Sequence, residues 1–205
     1  MKQQVFYIHG GCAFSEYEAY LNHLKNMEVD SFAETHTRWN KTLADDLGED
    51  FETIMPTFPN KYNAKYEEWK IWFENHFHLF RENLILVGWS QGSLFLQKYL
   101  ASNDLPVSVK GLFLVASPHY YFKDEASGED GGDFNIVDTD TVELIAKKVG
   151  KIVLLHSKDD FVVSYDHTRQ LHEKLPEAEL VTFEDKNHFL IEEFPELLEK
   201  IRELA

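Results

Sequence analysis

Leu84-Ile85-Leu86-Val87-Gly88-Trp89-Ser90-Gln91-Gly92 is the stretch on which the fold turns. Four apolar residues in a row suit a strand buried on both faces of a parallel sheet. The pattern from about Ser93 to Ala101 reads as a helix. A serine between two glycines therefore sits at a strand-to-helix turn, the context that gives Gly-x-Ser-x-Gly its chemical meaning. Side chains at 88 and 92 would collide with the adjoining strand and helix, so glycine is required at both. The turn lifts the Ser90 hydroxyl over the sheet edge and sets it at a helix N-terminus, where backbone N–H groups favour developing negative charge. The plain alternative is an idle serine in a glycine-rich turn.

Around this turn, short β-rich runs alternate with longer helical patterns. Residues 5–8 read as a buried strand ended by Gly10-Gly11. Ser15 to Glu18 has the form of a capping box, followed by Tyr17, Tyr20, Leu21 and Leu24 on one helix face. Trp39, Leu43 and Leu47 predict a helix stopped at Gly48, and 51–55 a short strand halted by Pro56. Tyr66, Trp69, Phe73, Phe77 and Phe80 predict an amphipathic helix over about 64–80, its aromatic stripe facing a core. Further strands are predicted at 111–116, 152–155 and 180–183. Helices are predicted at about 166–174 and from Pro195 onward. Such alternation implies βαβ units with right-handed crossovers and a parallel sheet.

Composition narrows the function classes. A length of 205 residues suits one domain, 1–205, with a full core. Thirty-six acidic residues against 20 basic argue against nucleic acid or an anionic membrane as partner. Cys12 is the sole cysteine, so no internal disulfide forms. The apolar run at 5–8 is too short for a signal or spanning segment, and the expected localisation is cytoplasmic. No metal-ligand spacing, phosphate-cradling loop or dinucleotide fingerprint is present, so neither a metal nor a cofactor is expected.

In a sheet of this kind reactive groups gather at the carboxyl ends of the strands. Besides Ser90, three strand ends carry candidate parts. His156 to Ser164 holds two adjacent acids, Asp159 and Asp160, of which one can orient a histidine. Asp185-Lys186-Asn187-His188-Phe189 places His188 in a polar turn after the last strand. His9-Gly10-Gly11-Cys12 follows the first strand. Its backbone can supply one donor to an oxyanion, at Gly11 or alternatively Cys12, with Gln91 N–H as the other. Cys12 as nucleophile has no base beside it in sequence. Residues 117–140 form a long acidic, glycine-rich segment beginning at the active edge. Its His119-Tyr120-Tyr121-Phe122 portion, with Trp89, is the expected pocket wall. Asp124, Glu125, Glu129, Asp130 and Asp133 suggest a mobile acidic tip, together a lid.

These features together resemble the small α/β-hydrolases related to retinoblastoma-binding protein 9. The likeness covers most of the chain. It rests on the opening strand and loop to Gly11, Trp39 ahead of a leucine helix, Met55-Pro56, the Ser90 turn, Asp159-Asp160-Phe161 and Asn187-His188-Phe189. The resemblance implies a three-layer α/β-hydrolase fold, with a mostly parallel sheet of about six strands flanked by helices and a minimal cap or none. It implies Asp160 as the acid, and the spacing to Val163 agrees. It further implies a serine hydrolase cleaving a small-molecule carboxylic ester of small or medium acyl group, with an acyl-enzyme on Ser90. A protein-binding module on the same fold is the rival. The chain departs from the pattern in residues 15–37, which look like an added helix, and in having Trp89 before the serine.

Overall fold

The computed structural model describes residues 2–27, 37–124, 127–136 and 138–205. The expected Glu125 of the acidic tip, and most of the stretch after the added helix up to residue 37, lie outside the described residues. Six strands form one parallel sheet: β1 (Gln3–Ile8), β2 (Phe51–Ile54), β3 (Leu84–Trp89), β4 (Val109–Val115), β5 (Val149–Ser157) and β6 (Glu179–Phe183). Their spatial order is β2-β1-β3-β4-β5-β6. Successive side chains of a strand point to opposite faces. Phe6 and Ile8, with Leu84 and Leu86, thus join one core, while Val5 and Tyr7, with Ile85 and Val87, join the other.

Helices cover both faces. On one side lie α3 (Tyr66–Glu74), α4 (Gln91–Ser102) and α5 (Tyr165–Lys174), which bury Trp69, Phe73, Phe95 and Leu171. On the other lie α2 (Trp39–Leu47) and α6 (Pro195–Arg202), which bury Trp39, Leu43, Leu197 and Ile201. The result is the three-layer architecture expected. Helix α2 ends as its sequence demands, since Gly48 takes φ +81°.

Three local expectations are corrected. The first helix, α1 (Tyr17–Asn26), has Glu16 as its cap and no capping box; the Ser15 N–H instead donates to Asp130 Oδ1 at 2.9 Å. None of its residues is buried and Tyr17 is 64% exposed, because α1 lies above a cavity rather than against a core. The helix expected over 64–80 stops at Glu74 and tightens into a 3₁₀ turn at Phe77–Leu79. Finally, the acidic segment is not a loose tip. Glu129 is 8% exposed and accepts from the Ala13 N–H, while Asp133 accepts from the Tyr66 N–H. Phe134 is fully buried, and beyond it Thr139–Lys147 forms a 3₁₀ helix burying Val142 and Ile145, three apart as that geometry requires. The carboxylates serve as caps for distant backbone donors, which is why like charges did not keep the segment from packing.

Candidate active site

All four parts meet at the carboxyl edge. Ser90 leaves β3 at φ +53°, a region a non-glycine residue enters only under constraint. The constraint is tight packing on both sides of the turn. A Cβ on Gly92 would come within 2.4 Å of Ile8 O, and one on Gly88 within 2.8 Å of Gly92 O. The Ser90 N–H donates to Val115 O at 2.9 Å, tying the turn to β4.

The two aspartates divide their work. His188 Nδ1–H donates to Asp160 Oδ2 at 2.8 Å. Asp160 Oδ1 accepts from the N–H groups of Val162 and Val163 at 2.8 and 2.9 Å. Burial alone would push this carboxyl up; hydrogen bonds from His156 and His188 outweigh it and hold Asp160 well below the usual carboxylate range. Asp159 turns the other way. It accepts from Ser157 Oγ and from the Asn187 N–H, so it braces the His188 loop rather than the imidazole.

That loop is fastened from several directions. Two indoles grip consecutive carbonyls: Trp89 Nε1 donates to His188 O at 3.2 Å, and Trp39 Nε1 to Phe189 O at 2.9 Å. The Lys186 N–H donates to Ser157 Oγ at 2.9 Å. Asn187 and Phe189, on either side of the histidine, have φ of +44° and +55°. Such strain persists only where the surroundings over-determine it, and these bonds together with the buried Phe189 ring do so.

The first loop is equally shaped. His9 Nε2 accepts from the Phe58 N–H at 2.8 Å, so Nδ1 carries the hydrogen and donates to Gly10 O at 2.6 Å. Burial lowers the His9 pKa, which keeps the ring neutral in that role. The Cys12 N–H is committed to Lys61 O at 2.8 Å. The N–H groups of Gly11 and Gln91 have no partner among the described residues. Burial, with Glu129 beside it, pushes the Cys12 thiol well above its ordinary value, the reverse of what a nucleophile needs.

Ser90 and His188 open on one cavity of about 480 Å³. Trp89, Phe122, Val162, Val163 and Leu190 line it, as do Gly11 and Gln91. Of the expected pocket residues, Trp89 and Phe122 are in the wall, and Tyr120 and Tyr121 are not. These two are 45% and 50% exposed, because Tyr120 takes φ +66° and turns this portion of chain outward before Phe122 returns. Sequence reasoning missed Met27 and His23, which α1 hangs over the cavity, and Lys61 and Tyr62 across from them. Only the added-helix departure at 15–37 pointed to this segment as a wall.

A family model described as serine hydrolase matches residues 32–204. The chain belongs to the serine hydrolase family. No curated protein matches significantly. Among solved structures, this hydrolase is similar to the ydeN gene product of B. subtilis, at 20% identity and TM-score 0.72, over 99% of this chain and 98% of that one. It is also similar to a thioesterase domain from the curacin biosynthetic pathway (12% identity, TM-score 0.62, 98% and 91% covered). An esterase from Exiguobacterium antarcticum matches at 16% identity and TM-score 0.59, with 98% and 91% covered. These likenesses establish the α/β-hydrolase fold, and the family makes the protein an enzyme, a serine hydrolase. Among the described residues no helix is long and apolar enough to cross a membrane.

Proposed function

We propose that this hydrolase cleaves small-molecule carboxylic esters through an acyl-enzyme on Ser90, with His188 as base and Asp160 as its orienting acid. The observation that carries the reading is the 2.8 Å bond from His188 to Asp160 beside a serine that shares the same cavity. Ser90 Oγ attacks the carbonyl carbon while His188 Nε2 takes its proton. Asp160 keeps the hydrogen on Nδ1, leaving Nε2 free as acceptor, and stabilises the imidazolium that forms. The N–H groups of Gly11 and Gln91 receive the oxyanion; one such donor is worth about 2.7–4 kcal/mol. His188 then protonates the leaving alkoxide. Water attacks the acyl-enzyme by the same route, releasing the acid and restoring Ser90. A cavity of about 480 Å³ walled by Trp89, Phe122, Val162, Val163 and Leu190 suits a small or medium apolar acyl group. A single cysteine accords with work in the cytoplasm.

A fluorophosphonate probe tests the mechanism, and a series of p-nitrophenyl esters of increasing acyl length tests the substrate class. Wild type and Cys12→Ala are labelled, and Ser90→Ala is not. Labelling that survives Ser90→Ala and vanishes with Cys12→Ala overturns the reading. Turnover of a matched thioester or amide in strong preference to every ester overturns the substrate class alone.

A further inference from the structure

His156 stands near the end of β5, fully buried, and no step of the mechanism above uses it. Its ring makes three polar contacts. Nε2 lies 2.9 Å from Val163 O and 3.2 Å from Asp160 Oδ2, and Nδ1 lies 2.5 Å from Thr168 Oγ1. Both partners of Nε2 are oxygens that only accept: a carbonyl and a carboxylate. This nitrogen therefore carries a hydrogen. Nδ1 then takes the Thr168 hydroxyl as donor, so helix α5 fixes the tautomer and the ring plane together. Tyr165, also on α5, meets the ring edge-on at 5.8 Å and closes the pocket around it.

The consequence falls on Asp160. Its side chain has no exposure, so water does not orient it. The N–H groups of Val162 and Val163 hold Oδ1 only. Oδ2 accepts from His188 and lies 3.2 Å from His156 Nε2, whose single hydrogen it shares with the nearer Val163 O. Without His156, the oxygen that must orient His188 would be held only by His188 itself. A carboxylate anchored through Oδ1 alone can tilt about that anchor and carry Oδ2 off its line to His188 once the imidazole moves.

We infer that His156 is a positioning residue of this hydrolase, fixing Asp160 Oδ2 through its Nε2–H so that Asp160 in turn aims His188 at Ser90. The inference rests on the assignment of Ser90, His188 and Asp160 in the preceding subsection. It adds a fourth member to that constellation, supported from α5 by Thr168, and it acts through Asp160 without touching substrate. Supporting groups of this kind matter because a displacement of about 1 Å at reacting atoms is enough to cost about a hundredfold in rate.

The test compares two replacements that separate hydrogen bonding from packing. His156→Gln keeps an N–H donor near the position of Nε2 and loses the ring. His156→Phe keeps the ring and loses the donor. Steady-state kinetics on p-nitrophenyl acetate and the rate of fluorophosphonate labelling are read for both, beside thermal melts. The expected result is a kcat lowered about tenfold or more for His156→Phe, with KM within about twofold, and recovery to within about threefold of wild type for His156→Gln. Labelling rates follow the same order. Thr168→Val, nearly isosteric, leaves Nδ1 without its donor and lowers kcat a few-fold at unchanged KM.

A His156→Phe enzyme with wild-type kcat overturns the inference. So does one that outperforms His156→Gln, since packing alone would then explain the residue. If His156→Phe does not fold, Thr168→Val decides, and a folded Thr168→Val with wild-type kcat and labelling rate refutes it. Ser90→Ala and His188→Ala are measured in the same series. Activity surviving in these two removes the underlying mechanism. Their loss, beside a fully active His156→Phe, removes only the role of His156.

Discussion

Glu129→Gln is expected to stabilise the protein above pH 7 and to leave it nearly unchanged near pH 4. The carboxyl is 8% exposed in the cavity wall, receives the Ala13 N–H at 3.3 Å and sits against the Cys12 thiol. Burial, reinforced by Asp124 and Asp130, raises its pKa from 4.5 to about 7 despite those hydrogen bonds. A displacement from 4.5 to about 7 corresponds to about 3 kcal/mol, at about 1.4 kcal/mol for each tenfold change in proton affinity. The sign follows from proton counting. Between these two values the folded Glu129 holds a proton that the unfolded chain has released, so its contribution to stability falls as pH rises from about 4.5 to about 7 and is constant on either side. Glutamine mimics the protonated acid in shape and in carrying both a donor and an acceptor, so its contribution does not titrate. Urea denaturation of both proteins from pH 4 to 8 measures the difference directly. The gap should open through that window and reach about 2–3 kcal/mol in favour of Glu129→Gln. Parallel stability curves would refute the claim that Glu129 is buried at a cost.

Other expected outcomes follow from the loops around the site. Asp160→Asn lowers ester turnover by about 10⁴, whereas Asp159→Asn, whose amide oxygen still accepts from the Asn187 N–H, stays within about tenfold of wild type; a larger loss for position 159 would reverse the assignment. Trp39→Phe leaves Phe189 O without its donor and costs about 1–3 kcal/mol of stability by denaturant titration, with a fall in kcat; unchanged stability would mean that carbonyl finds another partner. Gly11→Ala places a Cβ 2.7 Å from Lys61 O, which forces the loop to shift. A kcat lower by about a hundredfold with little change in KM is the signature of a displaced oxyanion donor, and wild-type kcat would exclude Gly11 from that role.

The parts of the site that are legible in sequence are those whose chemistry is local. The Ser90 turn carries its own glycines, so a strand, a sharp bend and a helix N-terminus can be read within nine residues. Strand ends also expose Asp159, Asp160 and His188, because apolar runs reveal where the sheet stops. Choosing between the two aspartates is different. The 2.8 Å bond from His188 to Asp160 and the bracing of Asn187 by Asp159 join chain segments 28 residues apart, and no periodicity encodes such a pairing. The same holds for Trp39 and Phe189, 150 residues apart. The acidic segment misleads for a related reason. Composition suggests a solvated tip, but Glu129, Asp130 and Asp133 each find a specific backbone donor elsewhere in the chain, and tertiary capping overrides local charge. Residues 139–147 hide because a 3₁₀ repeat of three matches neither of the periodicities by which helices and strands are recognised.

The two indoles that hold the His188 loop are also its chromophores. The ring of Trp89 lies 5.6 Å from that of His188, and Trp39 lies 6.3 Å beyond, edge to face with Trp89. A protonated imidazole quenches a neighbouring indole more strongly than a neutral one does. Emission from this pair therefore dims as His188 takes up a proton, without any label. Trp69 and Trp72 have histidine neighbours of their own in His9 and His76, so the signal is read as the difference between wild type and Trp89→Phe. Under stopped flow that difference signal follows the base through acylation and deacylation, an optical record of proton movement that the placement of one tryptophan provides.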